Sequence, residues 1–317
     1  MKSSRLLLEE LAVRFEVEID VFICSASFEE RCLSIPRHLN RKLVRRALIA
    51  ENENHLGLHA GNGSRLMDMF EGRAEHVWLD TTNPLKTADS LQLALRRCAE
   101  ERVRHILVDI TTFTHEGMLI LFGLLRERFR EARITYLYAG ASEYSVGDVE
   151  ENKWLSKGIG EIRSVLGYSG RFLPSQKLHL VVMVGFEHER VGELIRQYEP
   201  SYISLGYGES TEPGAEKHHP VNMHGFEQVK AIYPQAEDFV FYCYDPFKTK
   251  EIVRQQAGRH QNTNVVIATF NTKISTLGAA LAALEDDSIQ ICYAQALVYN
   301  YAAYSLPGDK VYLVDML

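Results

Sequence analysis

The sequence predicts an α/β protein in two halves. Each half is a mainly parallel, five-stranded sheet, the halves are related by internal duplication, and they pack as a pseudo-dimer. Three observations carry this prediction. Short apolar runs alternate with amphipathic stretches almost throughout. The alternation stops in a Gly-, Ser- and charge-rich stretch and then restarts. Three short phrases recur in the same order at a nearly constant offset.

The first half reads as five strands at residues 21–26, 45–51, 76–80, 105–111 and 134–140. Each is short and apolar with few alternating polar residues, the pattern of strands covered on both faces. Residues 84–101 and 115–131 read as helices between them, the second apolar early and basic late, as the helix dipole prefers. Strands alternating with helices predict a parallel sheet. The pattern restarts with strands at 178–185, 201–208, 238–245, 264–270 and 289–295. Between the sets, residues 145–176 are weak in strand signal and are expected to be a connector, with Trp154 and Ile162 ordered against a domain. The expected division is 1–144, 145–176 and 177–317.

The repeat supports the duplication. Pro, a bulky apolar residue, Lys and Thr occur at 84–87 and again at 246–249, placing Lys86 and Lys248 162 residues apart (248 − 86). Phe113 and Phe270 are 157 apart (270 − 113), and Arg31 and Arg190 are 159 apart (190 − 31). The phrases follow the third, fourth and first strands of their halves. Chance explains one such match easily and three poorly.

Bulk composition narrows the function classes. The 317 residues suffice for two domains that each bury a core. Hydrophobic residues make up 46% and charged residues 24%, ordinary for a globular protein. No apolar run approaches the ~20 residues of a membrane span, so no membrane association is expected. Glu9, Glu10 and Arg14 interrupt the apolar N-terminus, which reads as an amphipathic helix rather than a signal peptide. Five scattered cysteines without a CxxC pair read as reduced, buried thiols of a cytoplasmic protein. A net charge of −7 argues against a broad grip on duplex DNA, because phosphate affinity comes mainly from Lys and Arg.

Ligands of open parallel sheets collect beyond the carboxyl ends of the strands, where strand order reverses. All three repeated phrases follow such ends and start helices, whose first amides lack partners and suit anions. After the first strands, Ser25, Ser27 and Gly185 are small enough for close backbone approach. Glu29, Glu30 and Glu187 complement a helix N-terminus with no ligand present. Arg31 and Arg190 oppose the dipole there, and either pair with those acids or face a phosphate. After the third strands, Asn83 and Asp245 are good N-caps and Pro84 and Pro246 suit the first turn. That accounts for a helix start but not for the repeated Lys-Thr; Lys86 and Lys248 are point-charge candidates for phosphate. Lys248 and Arg190 are expected to face solvent at least in part. After the fourth strands, Thr111, Thr112, Thr114, Thr269, Asn271, Thr272, Ser275 and Thr276 supply donors for phosphate or base edges, or serve plain capping. Lys86, Thr112, Lys248 and Thr269 are expected to line facing clefts.

The turn after the fourth strand, with Asp109, Thr111, Thr114, His115 and Gly117, resembles the ligand-binding motif of CARF domains; Thr269, Thr272, Lys273 and Ser275 match it more loosely. The second half lacks the acid, with Ile267 and Ala268 in that region. CARF domains and the related SAVED domains are Rossmann-like modules of bacterial immunity that bind cyclic or linear oligonucleotide messengers across a two-fold seam. The resemblance implies two Rossmann-like sheets and a nucleotide-derived ligand; combined with the strand-end positions argued above, the expected ligand contacts are Ser25, Ser27, Arg31, Lys86, Thr111, Thr112, Thr114, His115, Gly185, Arg190, Lys248, Thr269, Asn271, Thr272 and Lys273. With both halves assigned, no nuclease, protease or membrane effector module is left over, and a separate effector protein is one candidate partner.

Other chemistries find little support. GxGxxG, Walker A, HExxH and GxSxG are all missing from the sequence. Residues 57–65 read as a flexible loop and 205–220 as a mobile lid. His218, His219 and His224 lie together without an acid or Cys at ligand spacing, so residues 217–225 read as a solvated loop and no metal or other cofactor is expected. The leading expectation is a cytoplasmic sensor or relay in antiviral defence, binding its ligand in a cleft between the halves. One alternative is a phosphodiesterase or base-releasing hydrolase using Glu29, Asp80, Asp109, His115, Glu187 and Asp245. Another is a protein-interaction subunit with vestigial pockets.

Overall fold

A computed structural model describes residues 2–53, 61–145, 154–212, 216 and 218–316. The chain forms two units, one from residues 1–148 with 301–317, the other from 149–300.

In the first unit, β1 (Lys2–Leu7) leads through a 3₁₀ turn into α1 (Leu11–Arg14) and β2 (Ile19–Ser25). Then come α2 (Ser34–His38), β3 (Val44–Asn52), α3 (Asn62–Met69), β4 (Ala74–Leu79) and α4 (Pro84–Cys98). β5 (His105–Asp109), α5 (His115–Arg128) and β6 (Arg133–Tyr144) follow. The second unit holds β7 (Ser156–Ser164), β8 (Lys177–Met183), α6 (His188–Tyr198), β9 (Tyr202–Gly208), α7 (His219–Ile232) and β10 (Glu237–Phe241). It continues with α8 (Pro246–Ala257), β11 (Thr263–Thr269), α9 (Lys273–Glu285) and β12 (Ile289–Tyr299). β13 (Ser305–Met316) belongs to the first unit.

All ten strands expected from apolar runs are present, and within each sheet those five pair in parallel. Their orders are β4-β3-β2-β5-β6 and β10-β9-β8-β11-β12. Counted within its own half, each reads 3-2-1-4-5, the Rossmann-like order, as a duplication requires. The reversal falls between β2 and β5 in one sheet and between β8 and β11 in the other. Burial explains why these runs lack alternation: Val21, Phe22, Ile23 and Cys24 are buried in succession, as are Leu180, Val181, Val182 and Met183. Phe22 and Cys24 join Leu33, Ile49 and Phe70 in one core; Leu180 and Val182 join Val191, Leu194 and Val266 in the other.

Three strands lie outside the expectation. Residues 2–7, read as the start of an amphipathic helix, are instead strand β1, antiparallel to β13, from Lys2 opposite Asp315 to Leu7 opposite Lys310. Helix begins only afterwards, where Leu8 and Leu11 enter the core. β7 arises inside the stretch read as a connector and pairs antiparallel with β12. It is an edge strand whose Ile159 and Ile162 pack inward between Gly and charged neighbours. β13, from the tail assigned to the second half, pairs antiparallel with β6. Each fifth strand is thus followed along the chain by a strand that pairs in the other unit, so the halves exchange their sixth strands.

Candidate functional site

The turn after the first strand is built alike in both units. Arg31 is 2% exposed, with Nη2 2.6 Å from Glu29 Oε2. Its Nη1 donates to the Ala139 carbonyl on β6 at 3.1 Å, and its Nε to Ser305 Oγ at the start of β13 at 3.1 Å. Ser305 Oγ donates to Glu29 in turn, at 2.5 Å. Arg190 is 5% exposed, with Nη1 2.9 Å from Glu187 Oε2 and 3.0 Å from Ser156 Oγ at the start of β7. It donates to the Ala294 carbonyl on β12, and Ser156 donates to Glu187. The expectation that Arg190 faces solvent is therefore corrected: in each unit the arginine ties the exchanged strand to the fifth strand. Arg31 also lies 5.1 Å from the centre of the Tyr144 ring, and Arg190 5.3 Å from that of Phe270.

The small residues here have local reasons. Ser25 is buried, and Ser27 Oγ accepts from the Glu29 amide. A Cβ on Gly185 would stand 2.1 Å from the Phe270 carbonyl oxygen, so glycine permits the first-strand and fourth-strand turns to touch.

The turn after the third strand explains most of the repeated Pro–apolar–Lys–Thr phrase. Asn83 caps α4 by accepting from the Lys86 amide, and Asp245 caps α8 by accepting from the Phe247 and Lys248 amides. Pro84 and Pro246 occupy the first turns. Thr87 Oγ1 accepts from the Asp80 amide and donates to the Asp80 carbonyl; Thr249 Oγ1 does the same with Tyr242. Each threonine clips its helix to the preceding strand end. The lysines remain at the surface, their side chains 52% exposed at Lys86 and 61% at Lys248. Lys86 Nζ donates to Glu53 at 2.7 Å. Lys248 Nζ lies 4.0 Å from Asp245 Oδ2 and 4.6 Å from the Tyr242 ring centre.

The turn after the fourth strand crosses to the first. Thr112 Oγ1 donates to the Ser25 carbonyl at 2.6 Å, and Asn271 Nδ2 to the Val184 carbonyl at 2.8 Å. Thr114 and Thr272 cap α5 and α9, accepting from the Gly117 and Ser275 amides. These caps fix the correspondence at 158 residues (272 − 114), one more than the phenylalanine pair implies. Thr111 is fully buried, its Oγ1 accepting from the Ala139 amide, while Asp109 accepts from the Thr111 amide. Thr112, Thr114, His115, Thr269, Asn271, Thr272 and Lys273 are half-buried.

One residue of this face escaped the sequence reading. Glu212, in the segment after β9, is 8% exposed. Its Oε2 accepts from the Cys243 amide at 2.6 Å and its Oε1 from the Tyr244 amide at 2.7 Å. Burial pushes the carboxyl up to about 7, outweighing those two bonds. In the first unit the amide of Thr82, which matches Tyr244, is satisfied by the turn's own Asp80, as is the next amide along, of Asn83. Tyr242 stands in Asp80's place and offers no carboxylate. That substitution was the available signal that an acceptor must arrive from elsewhere.

The remaining motifs resolve as follows. Of the 57–65 stretch read as a flexible loop, residues 57–60 lie outside the described residues, and from Asn62 the reading is corrected, since α3 begins there. The reading of 217–225 as a loop is corrected, since His219 onward is helix α7; Lys217 lies outside the described residues. Part of the 205–220 stretch read as a lid, residues 213–215 and 217, also lies outside them. Among the described residues no group of three His, Cys, Asp or Glu is placed to hold a metal. All five cysteines are free and buried. No described helix is long and apolar enough to cross a membrane.

No family model and no curated relative matches this sequence. Among solved structures, the chain resembles a Type III CRISPR defence DNA nuclease activated by cyclic oligoadenylate, at 11% identity and a TM-score of 0.50. The match covers 86% of this chain and 65% of that one. Weaker likenesses, at TM-scores of 0.32 and 0.25, are to an NADPH-bound carbonyl reductase from chicken fatty liver and a UDP-GlcNAc 2-epimerase from Neisseria meningitidis. They have 8% and 10% identity and cover 96% and 78% of this chain, and 99% and 76% of theirs. The likeness to the nuclease shows a shared fold.

Proposed function

We propose that this chain is a binding module for a nucleotide-derived anion, acting as a sensor or relay in bacterial antiviral defence. The observation that carries the reading is the matched placement of Lys86 and Lys248. Each is an exposed ammonium in the first turn of the helix that follows the third strand, at the carboxyl end of a 3-2-1-4-5 sheet. Half-buried hydroxyl and amide groups at Thr112, Thr114, Thr269, Asn271 and Thr272 stand on the same strand-end faces. The shared fold with a nuclease activated by cyclic oligoadenylate, and the CARF-like turn at Asp109–Gly117, make cyclic oligonucleotides the first ligands to try.

The hydrolase alternative finds less support in the side chains. Glu29 and Glu187 are held by arginine and serine, while Asp80, Asp109 and Asp245 accept from backbone amides. Acids so engaged are poorly placed to exchange protons with a substrate. Incubation with labelled mono-, di- and cyclic oligonucleotides separates the readings. Binding without turnover supports the sensor. Turnover overturns it in favour of the hydrolase, and an absence of binding favours an interaction subunit.

A further inference from the structure

The Glu212 carboxylate is seated on two converging backbone amides, in a turn whose counterpart in the first unit closes on its own aspartate. Its two oxygens each take one N–H, the bite that two oxygens of a phosphate group also present. The charged neighbours are Lys248, which draws the carboxyl down, and Asp245, which pushes it up; the Cys243 thiol also senses it. Burial nevertheless dominates and holds the carboxyl near neutrality. The amides are therefore served by an acceptor that is costly to keep charged in that place. It comes from a segment 31 residues earlier in the chain rather than from the turn itself.

We propose that the amides of Cys243 and Tyr244, with the ammonium of Lys248, form a phosphate-binding cradle. Glu212 occupies it in this structure and is displaced when a phosphate group enters. The proposal rests on reading the carboxyl end of the second sheet as a ligand face, and it assigns that face's anion contact. A phosphate brings further oxygens that stay solvated and can pair with the exposed lysine, as charge-assisted bonds favour. Lys248 thus acquires a function beyond the helix start that its phrase encodes.

The test is titration of inorganic pyrophosphate into the full chain and into Glu212→Ala, Glu212→Gln and Glu212→Ala/Lys248→Ala. Removing the built-in occupant should tighten pyrophosphate binding by about tenfold or more, and loss of Lys248 should reverse most of that gain. Glu212→Gln keeps the shape and one acceptor while losing the charge, so it carries the test if Glu212→Ala fails to fold. Folded variants that bind pyrophosphate no tighter than the parent overturn the cradle. In that event, nucleotide binding by the parent chain would leave the module reading standing. Pyrophosphate binding by Glu212→Ala, with no nucleotide bound by the parent, would keep the cradle and remove the module.

Discussion

Arg31 and Arg190 hold the same place in the two units, each locked to a glutamate of its own turn and to the serine that opens an exchanged strand. Both guanidiniums are buried, so removing either leaves a carboxylate without its cation inside the protein. Arg190→Ala and Arg31→Ala should each destabilise the chain by about 3–5 kcal/mol, the range for breaking a buried pair. Arg31→Lys should recover only part of the loss, because an ammonium cannot fork between Glu29 and the Ala139 carbonyl. Urea denaturation checks this; losses below 1 kcal/mol would mean the clasp is dispensable.

The two lysines should behave in the opposite way. Lys248→Ala and Lys86→Ala remove exposed groups with surface partners, so stability should change by less than about 0.5 kcal/mol. If the faces bind a phosphate-bearing ligand, each loss should weaken affinity by about 1.5–3 kcal/mol, the range for bonds to charged groups. Thr269→Val removes one neutral hydroxyl and should cost less. Calorimetric titration with a cyclic oligonucleotide reads the order, and a larger loss for the threonine would contradict it.

Thr87 and Thr249 provide the complementary control. Each hydroxyl serves both the amide and the carbonyl of one strand-end residue, at distances from 2.6 to 3.0 Å. Thr249→Val keeps the shape and strands both groups, at about 1–3 kcal/mol. The melting temperature should fall while ligand affinity per folded molecule holds. An affinity loss with unchanged melting would move this threonine from the scaffold to the binding face.

The contrast between these residues shows what the sequence could convey. Strands buried on both faces write themselves as apolar runs, and all ten were legible. β1 and β7 were not, because each is antiparallel with polar or glycine-bearing faces and pairs with a distant segment, Lys2 with Asp315 at the extreme; β13 does carry a buried apolar run at 311–314, but nothing in that run announces that it pairs with β6 and β1 rather than within the second half. The repeated phrases were legible as recurrence, but their roles were not. The partners of Arg31 and Arg190 are serines on exchanged strands, and no local pattern reveals that exchange. Tyr242 in Asp80's place signalled a missing acceptor, but not that Glu212 supplies it, because the partners of Glu212 are backbone amides, which every residue but proline carries.

His179 supplies a test in pH. It is fully buried at the start of β8, with Nε2 2.8 Å from Ser204 Oγ and its ring 4.7 Å from that of His260. Burial, then the nearby His260 and Arg259, lower it from 6.5 to about 4. Below pH 6.5 the unfolded chain takes up a proton that the folded chain refuses. The neutral histidine's contribution is therefore complete above about 6.5 and is lost as the pH falls toward about 4, amounting to on the order of 3 kcal/mol. Glu212 runs the other way: its raised carboxyl stabilises at low pH, and that contribution is lost as the pH rises through about 7. The two slopes partly cancel in the parent protein, so the comparison must be made against His179→Gln, which retains a hydrogen-bonding group and cannot titrate. Between pH 7 and pH 4 the stability difference between parent and variant, measured by urea denaturation, should move in the variant's favour by that same amount. Parallel curves would mean that His179 accepts its proton inside the fold, and that the packing around Tyr202 and His260 opens to admit water.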